Sequence, residues 1–135
     1  MIQLESKTGI VKGSQEKVFT YLSDFRNFSG LLPKERLNDL EISREKIRFG
    51  LQGLGTVGLM IRDKMPYSLM TITATEDSSA DFTFNVHIHE AGSNQSEVKL
   101  NLEARLNLFL EMMAKAPLQQ FVDMIVDKLT LVEFQ

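Results

Sequence analysis

The sequence predicts an α+β fold in which a curved, seven-stranded antiparallel sheet wraps around one long C-terminal helix. The first observation is that apolar residues recur with a helical period over residues 111–132, which predicts a long helix there. Its apolar face carries Ala114, Leu118, Phe121, Val122, Ile125, Leu129 and Val132. The other is a series of upstream segments in which apolar and polar residues alternate, as in strands with one buried side. Because each apolar face needs a partner, we expect the helix to lie across the sheet.

The N-terminal part of the chain predicts a strand followed by two short helices. Residues 2–12 form the strand, with Val11 on its outer face and an inner face of Ile2, Leu4, Ser6, Thr8 and Ile10. Ser14 is then the N-cap of a helix that would bury Val18, Phe19, Leu22 and Phe25. A second short helix, at about residues 25–32, would end at Pro33, since proline cannot continue the hydrogen bonds of a helix.

Residues 37–106 alternate with a period of two, which predicts six further strands. A turn is expected at residues 52–55, where two glycines can adopt positive φ. The inner faces of these strands would carry Leu40, Ile42, Ile47, Phe49, Leu51, Val57, Leu59, Ile61, Met70, Ile72, Ala74, Phe82, Phe84, Val86, Ile88, Val98, Leu100, Leu102, Ala104 and Leu106.

The last two of these strands also predict their own register. Pairing Phe84 with Leu102 places both side chains on the inner face. The same register brings two charged or polar pairs together on the outer face, Asp81 with Arg105 and His89 with Glu97. This agreement between the two faces favours a hairpin.

Composition and charge narrow the class of protein. A chain of 135 residues is expected to form one domain, residues 1–135. No apolar run approaches the roughly 20 residues needed to cross a bilayer, so no stable membrane insertion is predicted. The net charge of -3 provides no basic surface for a nucleic acid. With no cysteine and no secretory leader in residues 1–13, we expect a cytoplasmic protein.

The order of elements resembles the helix-grip fold of the START-like or SRPBCC superfamily, in a compact bacterial branch whose biochemical role is unassigned. The resemblance covers the whole chain, and its most specific local features are residues 14–19 (SQEKVF), 106–109 (LNLF) and 115–119 (KAPLQ). The superfamily includes lipid-transfer domains, plant pollen-allergen proteins, polyketide cyclases and coenzyme Q-binding proteins. The resemblance implies a hydrophobic pocket between the sheet and the long helix.

We therefore predict a protein that binds a small hydrophobic molecule (a lipid, an isoprenoid or a polyketide-like compound) in this pocket, without catalysis and without a cofactor. It would be a monomer or a weak homodimer. Met113 and Met124, on the flank of the long helix, could cover the pocket mouth or make a dimer contact. The expected pocket walls are Phe49, Leu59, Ile61, Met70, Ile72, Phe82, Phe84, Val86, Leu102, Leu118, Phe121, Val122 and Ile125.

Two other functions are compatible with the same sequence. The first is an enzyme of the polyketide cyclase or aromatase type, in which Asp63 would be a general acid or base and Tyr67 a proton donor. Further polar candidates for the inner face are Ser6, Thr8 and Glu90. The second is a protein-interaction module with a filled core, which acts through its surface. The size of the cavity distinguishes the interaction module from the other two classes.

A metal site is a weaker hypothesis. His87 and His89 share one face of a strand and could bind zinc with Glu97 as a third ligand. Two histidines on the polar face of a strand need no metal to explain them, so we predict no metal ion.

Overall fold

All strands of the described chain join one antiparallel sheet, and both α-helices pack against it. The computed structural model describes residues 1–32, 34–51 and 55–134. The elements are, in order, β1 (Ile2–Glu5), β2 (Gly9–Val11), α1 (Gln15–Leu22), two 3-10 helices (Phe25–Gly30 and Lys34–Arg36), β3 (Asn38–Ile42), β4 (Lys46–Leu51), β5 (Gly55–Met65), β6 (Leu69–Ala74), β7 (Asp81–Gly92), β8 (Gln95–Arg105) and α2 (Leu108–Leu129).

The strand order across the sheet is β1, β8, β7, β6, β5, β4 and β3, with β2 pairing with the same strand as β1. The predicted α+β architecture of a seven-stranded sheet, early short helices and a long C-terminal helix is therefore confirmed, with the first predicted strand divided into β1 and β2. Neither α-helix of the described residues has the length and apolar composition needed to cross a membrane.

The hairpin of β7 and β8 has the predicted register. Phe84 lies opposite Leu102, and the two outer pairs are those expected, Asp81 with Arg105 and His89 with Glu97. A slip of one residue would turn every inner side chain of a strand toward solvent, so the apolar alternation and the outer pairs specify the same register. The turn is completed by Asn94 at φ 56° and Gly92 at φ 137°, conformations that suit these two residue types.

The first strand differs from the prediction because its pairing with β8 slips by one residue. Glu5 lies opposite Asn101, whereas Gly9 lies opposite Val98, so the β1–β2 side carries one extra residue. The inner and outer faces exchange at this point, which corrects three predictions. Thr8 is exposed and Ile10 is 47% exposed rather than inward, and Val11 is fully buried rather than outward.

Backbone groups released by this slip find other partners. The Ser6 hydroxyl accepts a hydrogen bond from the Leu100 amide at 2.8 Å, which keeps this buried side chain on β8. The Lys7 amide donates to the Asp123 carboxylate at 2.7 Å, and the Gln119 side chain donates to the Glu5 carbonyl at 2.8 Å. Side chains of α2 therefore satisfy the interrupted strand and fix the helix across it.

Between β2 and β3, the predicted short helices are present. Ser14 caps α1, and its hydroxyl accepts from the Lys17 amide at 3.3 Å. The Phe25 amide donates to the Arg44 carbonyl at 2.7 Å, which ties the first 3-10 helix to the turn between β3 and β4. The prediction that Pro33 ends this helix lies outside the described residues, as do residues 52–54 of the turn predicted at residues 52–55. Gly55, the last residue of that turn, has the expected positive φ, 81°.

The long helix begins and ends earlier than predicted. Asn107 is its N-cap and accepts from the Leu110 amide at 2.9 Å, so α2 spans Leu108–Leu129 rather than residues 111–132. Pro117 lies inside the helix, not near its start as predicted. Because proline has no amide hydrogen, it cannot bond to the carbonyl of Met113, and the helix loses one internal hydrogen bond there.

The two ends of α2 are buried very differently. We call residues 122–129 the anchored segment, because its inward side chains are at most 5% exposed: Val122, Ile125, Val126 and Leu129. We call residues 108–116 the exposed segment, because it carries four large apolar side chains that are 62–78% exposed: Leu108, Phe109, Met112 and Met113. A Cβ atom added at Gly9 would lie 2.5 Å from the Val126 side chain, so the missing side chain lets β2 approach the anchored segment closely.

A pair of leucine substitutions tests which residues fix α2. Leu129→Ala should lower the free energy of unfolding by about 2–5 kcal/mol, since it removes a fully buried side chain and leaves a void. Leu131→Ala is the matched control, because Leu131 is 81% exposed, and should change the free energy by less than about 0.5 kcal/mol. Urea unfolding measures both values. Equal losses of unfolding free energy in the two variants would contradict the conclusion that the anchored segment fixes α2.

Candidate ligand cavity

A cavity of about 350 Å³ lies between the sheet and the middle of α2. Strands β4, β5 and β7 provide one side, and residues from Pro117 to Met124 provide the other. Its lining is apolar except for Glu35 and Gln120, which are both exposed and therefore mark its mouth. The full lining is Glu35, Leu37, Phe49, Val57, Leu59, Phe82, Phe84, Pro117, Leu118, Gln120, Phe121 and Met124.

A second, smaller cavity of about 50 Å³ lies deeper in the protein. Four side chains border both spaces: Phe49, Leu59, Phe84 and Phe121. The remaining walls are apolar and mostly buried: Leu22, Phe25, Phe28, Leu32, Ile47, Ile72, Val86, Leu100, Ile125 and Leu129. This inner space could hold about one water, whose share of liquid volume is about 30 Å³. The larger cavity is thus the one with room for an organic molecule.

The inner face of the sheet shows directly where packing is incomplete. Phe82 and Val86 are 5% and 2% exposed, whereas Phe84, between them on the same face of β7, is only half-buried. Leu118 and Phe121 across the cavity are half-buried as well. Apolar side chains that face inward and yet remain accessible indicate an unfilled interior, in contrast to the dense packing of ordinary cores.

Most of the predicted pocket walls border one of these two cavities. Those on the larger cavity are Phe49, Leu59, Phe82, Phe84, Leu118 and Phe121, and those found only on the smaller one are Ile72, Val86 and Ile125. Their role in binding a ligand stays a prediction.

Four predicted walls line neither of these cavities: Ile61, Met70, Leu102 and Val122. They are 0–7% exposed and belong to the filled core. The helices cover only part of the inner face, since α1 packs against β7 and β8, and α2 packs against β1, β2 and β8. Alternation along a strand identifies the inner face, but it does not identify the part of that face that a helix covers.

Six of the residues that line the larger cavity are not among the predicted pocket walls. Glu35 and Gln120 are polar, and a search for apolar walls passes over them. Leu37 begins the alternating residues 37–106 but was not among the predicted inner side chains, and it lies between the second 3-10 helix and β3. Pro117 was predicted near the start of the helix. Val57 was predicted on the inner face of its strand and Met124 on the flank of the helix. The sequence pattern therefore indicated that both could lie near the cavity.

The polar residues proposed for catalysis do not come together in the cavity. The Asp63 carboxylate, exposed on β5, accepts a hydrogen bond from the Arg62 guanidinium at 3.0 Å. Tyr67 is 44% exposed, and its hydroxyl donates to Glu16 at 3.4 Å. Neither Asp63 nor Tyr67 lines either cavity. The acid-base pair considered for a cyclase is therefore not assembled around this pocket.

The other polar candidates are engaged elsewhere or face solvent. The Ser6 hydroxyl donates to the Lys7 carbonyl at 2.8 Å in addition to its bond with the Leu100 amide. Thr8 and Glu90 are exposed. None of the three lines the larger cavity, so they offer it no reactive group.

The two histidines lie on the outer face of the sheet. Their rings are stacked, with centroids 6.4 Å apart, and Nε2 of His87 lies 3.3 Å from the side-chain amide nitrogen of Asn101. His89 is opposite Glu97 in the ladder. Over residues 1–32, 34–51 and 55–134, no three His, Asp or Glu side chains are grouped closely enough to hold a metal ion.

The first 3-10 helix, which carries Phe25 and Phe28 to the inner cavity, has a charged cap. The Asp24 carboxylate accepts from the Arg26 amide at 3.0 Å and from the Arg26 guanidinium at 2.6 Å, and the Arg44 guanidinium lies 3.9 Å away. The hydrogen bonds from Arg26 lower the pKa of Asp24 from its ordinary 3.8 to about 2. The ionised cap therefore stabilises the start of a segment that lines the smaller cavity.

Comparisons with known proteins find matches among solved structures. No family model and no curated protein matches the sequence. An uncharacterised protein from Bacillus thuringiensis matches with a TM-score of 0.71 and 12% identity, over 96% of this chain and 97% of that one. A START superfamily protein from Mycobacterium smegmatis matches with a TM-score of 0.63 and 15% identity, over 95% and 99%. A point mutant of norcoclaurine synthase from Thalictrum flavum, in complex with a transition state analogue, matches with a TM-score of 0.67 and 13% identity, over 95% and 93%.

At these identities the matches establish the fold. The chain has the START/Bet v1-like (SRPBCC) helix-grip fold, as the resemblance predicted. The matched structures include an enzyme, norcoclaurine synthase, as well as the uncharacterised protein from Bacillus thuringiensis.

A titration tests the cap of the first 3-10 helix. Because the pKa of Asp24 is lower in the folded protein, its stabilising effect is present above the unfolded value of 3.8 and is lost as the pH falls through about 2. Arg26→Ala should raise the Asp24 pKa toward 3.8, and carboxyl-carbon NMR measures it. The control Arg62→Ala, which removes the partner of Asp63, should leave Asp24 unchanged. An unaltered Asp24 titration in Arg26→Ala would show that Arg26 is not the cause.

Proposed function

We propose that this protein binds a small hydrophobic molecule in the cavity between the sheet and α2, without catalysis and without a cofactor. The observation that carries the proposal is an apolar cavity of about 350 Å³ whose walls are inward-facing side chains of the sheet and the helix. We further propose that the protein acts in the cytoplasm as a monomer or a weak homodimer.

The size and chemistry of the cavity support this function. A volume of about 350 Å³ is within the range of about 300–1,000 Å³ typical of small-molecule sites. Four phenylalanine rings supply large apolar surfaces without polar atoms that need partners: Phe49, Phe82, Phe84 and Phe121. The lipid, isoprenoid and polyketide-like compounds predicted from the sequence have the apolar character of these walls.

The affinity that such a site can provide is modest. At about 0.3 kcal/mol per non-hydrogen atom, a guest of about 20 atoms gains about 6 kcal/mol, which corresponds to a dissociation constant of tens of micromolar. Binding at this strength suits a ligand that is exchanged or handed on.

An enzyme that uses the same pocket is the alternative, and it is favoured by norcoclaurine synthase, an enzyme with this fold. The positions of Asp63 and Tyr67 argue against an enzyme, because both residues of the proposed acid-base pair lie outside the cavity and have other partners. An interaction module with a filled core fits the larger cavity less well, although the exposed segment of α2 would suit a surface contact.

Native mass spectrometry of freshly purified protein provides the direct test. The expected result is a mass above that of the bare chain, and organic extraction should release an apolar compound that accounts for the difference. A bare-chain mass, together with no thermal shift across a panel of lipids, quinones and polyketides, would contradict the proposed function.

A cavity-filling substitution tests the location of the site. Leu118→Trp places a large ring on the cavity wall and should weaken binding of the neutral probe N-phenyl-1-naphthylamine at least about tenfold, because the volume left for the guest shrinks. Met113→Trp is the matched control, since Met113 lies on the same helix and is 62% exposed. It should change the affinity less than about twofold.

Probe fluorescence gives the dissociation constants, and thermal unfolding shows whether both variants are folded. Equal binding by the two variants would place the probe outside this cavity.

A further inference from the structure

We infer that the ligand of this cavity is a cationic amphiphile, with an apolar body against the phenylalanine rings and an amine or quaternary ammonium group at the mouth. This inference rests on the proposed function and specifies its ligand class. It starts from the two polar residues of the lining, Glu35 and Gln120.

Among the described side chains that line the larger cavity, Glu35 is the one that carries a charge. It belongs to the second 3-10 helix, Lys34–Arg36, and it is exposed, so its charge lies at the opening rather than in the interior. Gln120, on the opposite side of the mouth, is neutral, and its amide can both donate and accept a hydrogen bond. The described side chains of the mouth therefore present one negative charge and one neutral amide.

The walls behind the mouth suit the apolar body of such a ligand. The rings of Phe49, Phe82, Phe84 and Phe121 all line the cavity. Among the lining side chains that the structure describes there is no lysine, arginine or histidine. An ammonium group thus meets a favourable partner at the mouth, while the apolar body contacts the rings.

An anionic ligand meets the opposite situation. The carboxylate of a fatty acid would approach Glu35, and none of the described side chains that line the cavity is a cation with which it could pair. Because Glu35 is exposed, solvent weakens the effect, and a preference of about tenfold for cation over anion is the expected scale. The geometry therefore distinguishes between amphiphiles that have the same apolar body.

Three ten-carbon ligands provide the test: decyltrimethylammonium, decanol and decanoate, each at low ionic strength. Displacement of N-phenyl-1-naphthylamine gives their affinities. The expected order is cation, then neutral, then anion, with about tenfold between the extremes. Raising the salt concentration should reduce this difference, since the charges at the mouth are exposed.

Two variants identify the residue responsible. Glu35→Gln should bring the affinity for decyltrimethylammonium close to the affinity of the same variant for decanol. Lys34→Gln is the matched control, because Lys34 is the exposed neighbour of Glu35 in the same 3-10 helix and does not line the cavity. It should change the affinity for the cation less than about twofold.

The outcomes separate the inference from the function on which it rests. Decanoate binding as tightly as decyltrimethylammonium, or unchanged cation binding by Glu35→Gln, would overturn the ligand class and leave the hydrophobic site in place. If none of the three compounds displaces the probe from the unmodified protein, the proposed function fails together with the inference.

Discussion

The cavity depends on the packing of the anchored segment of α2 against the sheet. Val122, Ile125, Val126 and Leu129 bury one side of the helix, and Gly9 lets a strand approach it closely. Burying side chains of this size is worth about 1.5–3 kcal/mol each, a large share of the 5–15 kcal/mol that stabilises a typical domain. Two hydrogen bonds at the interrupted first strand, from Lys7 to Asp123 and from Gln119 to Glu5, fix the helix along its length. With one end held in this way, the middle of the helix spans a space that it does not fill.

The sequence was sufficient to predict the architecture because the decisive signals are local and periodic. The hairpin of β7 and β8 was predicted to the residue, since apolar alternation and the outer pairs required the same register. The slip between β1 and β2 was not predicted, because Ser6 and Thr8 were taken to continue the inner face although residues 5–9 carry no large apolar side chain that fixes a face. In the folded protein Ser6 is held by a hydrogen bond with the distant Leu100. The helix start was placed too late because Asn107 was not recognised as its cap.

The candidate site was predicted less completely, for a geometric reason. An apolar face has the same sequence pattern whether it is packed against a helix or borders an empty space, so Phe84 at the cavity and Met70 in the core look alike in sequence. Which of them borders a void depends on where α1 and α2 cover the sheet, a relation between residues far apart in the chain. Glu35 and Gln120 were missed because a search for apolar walls cannot find the polar residues at a mouth.

The unequal burial of α2 gives its two ends different local stabilities. Backbone amides of the anchored segment are covered by buried side chains and should exchange with solvent only through large openings of the structure, whereas those of the exposed segment should exchange through small openings of the helix. Leu118 and Phe121 lie between these two segments, on the wall of the cavity. An occupied cavity would therefore slow exchange most around Leu118 and Phe121, because these residues would contact the guest and the anchored segment is already protected.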